Sequence, residues 1–293
     1  MVLIKTGFIG AGKMGFTLGK LFSVNDIPLS GYYSRTYSSS KAASSFTDSK
    51  CYDNLKDLIH DSNILFITVP DDEILNTYNQ LKDYDFSNKI ICHTSGCLTS
   101  KIFSDIDKYQ AYSYSIHPIF PVSDKYESYK FIKNATFTIE GSEKYMDYFK
   151  KIFTYMNIKL VKIKSSNKSM YHLASVNVSN IFLSLVKRSC SYLIPYGFSE
   201  EDAINALYPL INSNIENFNN NGLSKALTGP LERGDMDTIK KHISAMPEAH
   251  RRVYADLSYE LLEIAKLKNK NRDYSKIEIY LEELKNEKYS SDL

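Results

Sequence analysis

Short apolar runs alternate with amphipathic stretches through the first half of the chain. Runs at 5–9, 29–33, 64–69, 89–93, 112–116, 136–140 and 159–163 are rich in β-branched and aromatic residues and are bounded by Gly, Pro, Asn or Asp, which predicts strands. Several are continuously apolar instead of alternating, as suits a parallel sheet buried on both faces. Helical periodicity fills intervals such as 14–22 and 53–60. Strand–helix alternation of this kind predicts an α/β fold, a doubly wound parallel sheet with right-handed crossovers.

Beyond about residue 164 the strand pattern stops. Apolar residues recur at helical spacing over 168–193, and Ser199 followed by Glu200, Glu201 and Asp202 reads as an N-cap with acids in the first turn. Asn219, Asn220, Asn221 and Gly222 end that helix. Asp235 is an N-cap for a long helix over 236–268 with a bend at Pro247, and 274–289 is amphipathic and highly charged. The predicted organisation is therefore an α/β domain over 1–164 and an all-α domain over 165–293.

Composition narrows the function classes. Lys and Arg number 36 against 34 Asp and Glu, a net +2 that is far from the basic footprint of a nucleic-acid binder. The longest apolar runs, 63–69 and 181–186, fall well short of the roughly 20 residues of a membrane span, so no membrane partner is expected. The N-terminus shows no basic leader or cleavage site. Cys51, Cys92, Cys97 and Cys190 have irregular spacings and no CxxC pair, which argues against a disulfide framework or a metal site and for a reducing cytoplasm.

Candidate chemistry begins at Gly10-Ala11-Gly12-Lys13-Met14-Gly15, a GxGxxG loop that leaves one predicted strand and opens a helix. The first glycine permits the tight turn, the second a close approach of pyrophosphate, and the third close helix–strand packing. The helix N-terminus adds free N–H groups and partial positive charge. This is the fingerprint of a Rossmann dinucleotide site. At the end of the second strand, where an NAD site usually carries an acid, stand Ser34 and Arg35. A guanidinium between hydroxyls suits a 2′-phosphate, so the expected cofactor is NADP.

Ligands of doubly wound sheets lie beyond the carboxyl ends of the strands. Val69-Pro70 ends the third apolar run and is expected beside the cofactor ribose. His93-Thr94-Ser95-Gly96 and His117-Pro118 end the next two, making His93, Thr94, Ser95 and His117 pocket candidates. On the first long helix Lys168 and His172 stand at i and i+4 on one face, with Asn180 two turns on. Lys168 or His172 would serve as general acid, with Asn180 orienting it or the substrate. Arg233, in the loop 227–235, is a candidate grip for a substrate carboxylate.

Gly10 to Gly15, the Ser34-Arg35 pair, His93-Thr94-Ser95-Gly96, His117-Pro118, the helix carrying Lys168, Tyr171, His172 and Asn180, and the loop from Leu227 to Asp235 together resemble one family over essentially the whole chain. It is the bacterial Rossmann-like family with a C-terminal helical domain of unknown function, often described as deazaflavin-dependent NADP oxidoreductases. More distantly the layout is similar to pyrroline-5-carboxylate reductase, ketopantoate reductase and 3-hydroxyisobutyrate dehydrogenase. In the last group a helix lysine and an asparagine one turn later serve the substrate; here His172 takes the asparagine's place. The resemblance implies a homodimer formed through the C-terminal helices. The leading expectation is NADP-dependent hydride transfer to or from a small C=O or C=N compound, carboxylate-bearing ones among the candidates. Alternatives are a pyrroline-5-carboxylate or ketopantoate reductase-type enzyme, and a non-catalytic NADP-binding sensor. Nothing in these residues favours a deazaflavin over an organic substrate.

Overall fold

The computed structural model describes residues 4–286. Its strands are β1 (Thr6–Ile9), β2 (Leu29–Tyr33), β3 (Lys50–Cys51), β4 (Ile64–Ile67), β5 (Ile90–His93), β6 (Tyr112–Pro118), β7 (Phe137–Gly141) and β8 (Leu160–Lys162). They form one eight-stranded sheet in the order β3-β2-β1-β4-β5-β6-β7-β8. Helices α1 (Lys13–Ser23), α2 (Tyr37–Thr47), α3 (Leu55–Asp61), α4 (Ile74–Leu81), α5 (Ser128–Ile132) and α6 (Met146–Tyr155) provide most of the crossovers. The predicted doubly wound α/β architecture is thus the observed one. The chain winds outward from β1 in both directions, so the strand order reverses between β1 and β4, where such folds open a ligand crevice.

Alternate residues of each strand feed opposite faces of the sheet. Phe8, Phe66, Cys92 and Tyr114 pack with Phe16 and Leu18 of α1 on one side. Ile9, Leu65, Ile67 and Ile91 pack with Tyr78 and Leu81 of α4 on the other. Burial on both faces explains why these strands read as continuous apolar runs. Two details depart from the sequence reading. The two-residue β3, too short for any periodicity, extends the edge by pairing Gly31 with Lys50 and Tyr32 with Cys51. The β6–β7 pair is antiparallel, with His117 directly opposite Thr138. A strand run of this length carries no sign of its direction.

The helical part begins with α7 (Lys168–Val176), a π-helical turn over Asn177–Ile181 and α8 (Phe182–Leu193). The single helix expected over 168–193 is therefore re-phased in its middle. Two compact units divide after Ser184, so α7 lies with the sheet. The second unit, Leu185–Leu293, holds α9 (Glu200–Ala226), α10 (Pro230–Arg233), α11 (Met236–Ala245), α12 (Glu248–Lys268) and α13 (Ser275–Asn286). Its core gathers Leu231, Ile239, Ala255, Leu262, Tyr274 and Leu281. The Ser199 and Asp235 side chains accept from Asp202 N–H (3.1 Å) and Thr238 N–H (3.1 Å), as expected of caps. Gly222 breaks α9 with φ 78°, and the chain is non-helical at Met246 and Pro247, which splits the helix expected over 236–268. Residues 287–289, the end of the expected C-terminal amphipathic stretch, lie outside the described residues. Among the described residues no helix is long and apolar enough to cross a membrane.

Candidate functional site

Strands β1, β4, β5 and β6 are neighbours and parallel, with Ile9 beside Ile67, Ile67 beside His93 and His93 beside Ser115. That register brings the glycine loop, Thr68-Val69-Pro70, His93 to Gly96, and His117 to one edge of the sheet.

At the end of β1, Gly10 N–H donates to Tyr33 O (2.8 Å) and the residue takes φ 102°, a left-handed conformation that favours glycine. A Cβ on Gly15 would lie 2.5 Å from Gly10 O and 2.7 Å from Thr68 Oγ1, so the third glycine serves packing of α1 onto the loop. Thr68 Oγ1 donates to Gly10 O (2.8 Å) and locks that contact. Gly12 differs: a Cβ there would meet no protein atom closer than Thr68 O at 3.8 Å. Gly12 is exposed at the N-terminus of α1, whose first N–H groups have no intrahelical acceptor. Those donors, the helix dipole and the space left by Gly12 fit a pyrophosphate.

A cleft of about 250 Å3 gathers Gly10, Ala11, Gly12, Ser34, Arg35, Val69 and Pro70. Lys13 and Met14 begin α1 beside it, with Lys13 exposed and Met14 half-buried. Arg35 is 78% exposed, and its Nη1 stands 4.0 Å from Glu73 Oε2. Glu73, which the sequence reading did not single out, lines the same cleft and places a negative charge opposite the guanidinium.

Further along the edge lies a buried polar cluster. Lys168 extends from α7 into the protein, where Nζ donates to Ser95 O (2.8 Å), Leu98 O (2.6 Å) and Ser115 Oγ. Its side chain is 1% exposed, and Glu140 Oε1 of β7 stands 3.9 Å away. Glu140 also accepts from Ser100 N–H (2.7 Å) and Ser100 Oγ (2.8 Å). Burial pulls the Lys168 ammonium down to about 8, opposed by the Glu140 and Asp71 carboxylates. All three ammonium hydrogens have partners, so the lysine ties α7 to the loop after β5 and to β6. Ser95 Oγ in turn donates to Asp71 Oδ2 (2.6 Å) and accepts from Leu98 N–H (2.9 Å), which joins that loop to the turn after Pro70.

His93 is fully buried, accepts from Ser95 N–H through Nδ1 (3.2 Å) and packs edge-on against Phe103. Burial and the Lys168 charge hold it down to about 3, so it is neutral. His117 is held down to about 3 by burial first, then by Lys168 and His172. Its Nδ1 lies 2.8 Å from Tyr171 Oη, and Thr138 Oγ1 stands 3.0 Å from the same oxygen. The half-buried His172 ring is 6.2 Å from that of His117. Both rings close over Gly96, where a Cβ would come within 2.5 Å of His172 Cδ2 and 2.8 Å of His117 Nε2.

Lys168, His172, His93, Ser95 and His117 are therefore brought together, with Thr94 half-buried in the same loop. Asn180 falls in the π-helical turn, exposed, where its Oδ1 accepts from Ser179 Oγ (3.0 Å). Arg233 ends α10 in the second unit and is exposed. Its neighbour Glu232 anchors that loop through Asn269 Nδ2 (2.7 Å), with Lys268 at 3.7 Å. The sequence reading named Tyr171 and Gly96 within their motifs but did not single out Glu140, Thr138 or Asp71, whose place in the site depends on long-range register.

The sequence matches no curated protein. Over 96% of this chain and 98% of the other, the fold is similar to protein TM1727 from Thermotoga maritima, at 23% identity and a TM-score of 0.67. It is similar to BF3122 from Bacteroides fragilis, described as a candidate NADP oxidoreductase, at 20% identity and 0.65 over 89% and 98% of the two chains. It is also similar to a pyrroline carboxylate reductase from Plasmodium falciparum with NADP bound, at 15% identity and 0.54 over 96% and 98%. Residues 2–118 match the Rossmann-like domain, and residues 135–261 match DUF2520, a domain of unknown function. The chain thus carries a match to a Rossmann-like domain followed by a match to a DUF2520 domain.

Proposed function

We propose that this protein is an NADP-dependent oxidoreductase acting on a small C=O or C=N compound. The observation that carries the reading is the cleft at the end of β1, in which Gly10, Ala11, Gly12, Ser34, Arg35, Val69 and Pro70 converge beside the N-terminus of α1. Gly12 leaves room there, Lys13 and Met14 present backbone donors, and Gly15 keeps the helix close to the strand. The names of the NADP-linked neighbours in Bacteroides and Plasmodium support the same reading. A nicotinamide dinucleotide bound in such a cleft supplies or accepts a hydride.

The remaining roles fall to the chain's own residues. Arg35 and Ser34 bind a 2′-phosphate. His172, half-buried beside His117, exchanges the proton on the substrate oxygen or nitrogen. Lys168 holds the Ser95 loop and β6 in place, and its charge adds to burial, the larger cause, in keeping His93 and His117 neutral. Thr94, Ser95 and His117 belong to the substrate pocket. The exposed apolar side chains Tyr196, Tyr208, Leu210 and Leu223 of the second unit support pairing of two copies through these helices.

The test is a calorimetric titration with NADPH and NADH side by side, followed by NADPH oxidation with small keto acids and cyclic imines. Tight binding with NADPH well ahead, and oxidation by a member of the panel, is the expected result. Binding without oxidation by any member supports a non-catalytic sensor, and no binding of either nucleotide overturns both readings.

A further inference from the structure

His117 and Thr138 face each other across the antiparallel β6–β7 pair, so their side chains share one face of the sheet. Tyr171 descends onto that face from α7. Its phenolic oxygen lies 2.8 Å from His117 Nδ1 and 3.0 Å from Thr138 Oγ1. Each hydroxyl has one hydrogen to place. The other acceptor within reach of Thr138 Oγ1, His117 O at 3.4 Å, is a poor one. Thr138 therefore donates to Tyr171, and Tyr171 donates to His117 Nδ1. A neutral imidazole whose Nδ1 accepts carries its hydrogen on Nε2.

Nε2 lies against Gly96, 2.8 Å from where a Cβ would stand, next to the His172 ring. Among the described residues, no hydrogen-bond acceptor meets it. A neutral N–H donor held there suits an atom with a lone pair that gains negative charge as hydride arrives. We propose that the Thr138–Tyr171 pair fixes His117 as its Nε2–H form and thereby makes the ring a permanent hydrogen-bond donor to the carbonyl oxygen or imine nitrogen of the substrate. His117 transfers no proton in this arrangement; it polarises, and Tyr171 and Thr138 are positioning residues. Naming the acceptor rests on the oxidoreductase reading, whereas the tautomer does not.

The test is two-bond nitrogen–proton NMR on the uniformly 15N-labelled full chain, with His117 assigned by comparison with His117→Gln. The expected spectrum shows an unprotonated Nδ1 and a protonated Nε2 that persist from about pH 6 to 8. Tyr171→Phe shifts His117 to a mixture of tautomers. Thr138→Val, which keeps the tyrosine, shifts it in the same direction by less and answers the question if Tyr171→Phe does not fold. On a substrate found in the keto-acid and imine panel, Tyr171→Phe lowers kcat by about 2- to 10-fold with NADPH affinity unchanged, the loss expected from one hydrogen bond. A protonated Nδ1 in the parent, a tautomer that neither variant moves, or an unchanged kcat overturns the proposal. NADPH titrated into the same samples separates the two readings. Absent binding removes the cofactor assignment and leaves the tautomer standing, and a wrong tautomer leaves the cofactor standing.

Discussion

Replacing Lys168 with methionine removes the charge at nearly constant length and sets two opposed effects against each other. Holding the ammonium at about 8 instead of the ordinary 10.5 corresponds to about 3 kcal/mol of penalty on the charged form, which the substitution relieves. Against this, Ser95 O and Leu98 O lose their donor inside the protein, each at a cost of about 1–3 kcal/mol. Glu140 also loses the cation 3.9 Å away, although Ser100 still serves both of its oxygens. Losses outweigh relief, and Lys168→Met is expected to be less stable by about 2 kcal/mol at neutral pH. The pH dependence is the sharper signature. A lysine depressed on folding binds fewer protons folded than unfolded between about 8 and 10.5, so parental stability rises with pH across that window. From pH 8 to about 9.5 the gain is about 1.5 kcal/mol, and the variant has no such gain. The gap between the two proteins should therefore widen in alkali, where the lysine loses its charge. Urea unfolding followed by fluorescence of the 23 tyrosines, at several pH values, measures it, and the tyrosines' own titration cancels in the comparison. A gap that stays level or narrows, or a variant more stable than the parent at pH 7, would refute the buried-ammonium account.

The glycine loop separates two kinds of glycine. Gly15→Ala forces a methyl to within 2.5 Å of Gly10 O and should cost about 1–3 kcal/mol by thermal melting, whereas Gly12→Ala meets only Thr68 O at 3.8 Å and should melt within about 1 kcal/mol of the parent yet bind NADPH at least tenfold more weakly. Arg35→Ala should weaken NADPH by about 10- to 100-fold in calorimetry and leave NADH unchanged. Glu73→Gln, by removing the carboxylate 4.0 Å from that guanidinium, should strengthen NADPH by about 2- to 5-fold at low salt, a gain that fades as salt is added. His172→Ala should lower turnover by about 10²- to 10⁴-fold with NADPH affinity intact; unchanged turnover removes it from the proton-transfer step.

What was legible in the sequence is what local pattern encodes. Two-sided burial writes strands such as Ile64–Ile67 as unbroken apolar runs, and the tight turn writes Gly10, Gly12 and Gly15 at fixed offsets from β1. Lys168 and His172 were readable as one helix face because 3.6-residue spacing is local. It does not extend through the π-helical turn at Asn177–Ile181, and Asn180 stands in that turn with its Oδ1 on a neighbouring serine. The β6–β7 direction was not legible either, because an extended run looks the same read up or down the sheet.

That last gap decides most of what the sequence could not show about the polar cluster. Turning β7 antiparallel to β6 puts Thr138 opposite His117 and Glu140 opposite Ser115. Residues two apart on a strand share a face, so one strand delivers both the hydroxyl that reaches Tyr171 and the carboxylate that faces Lys168. A one-residue slip of β7 would turn both to the opposite face, beyond reach of their partners. Lys168 and Tyr171, three apart on α7, then meet the two groups from above with matching spacing. The helix pair was visible in the sequence and the strand pair was not, since Thr138 and Glu140 look like any alternating polar positions of an edge strand. Their chemistry exists only once the register is set, and the Glu140–Lys168 and Thr138–Tyr171 contacts are in turn what hold α7 against that register.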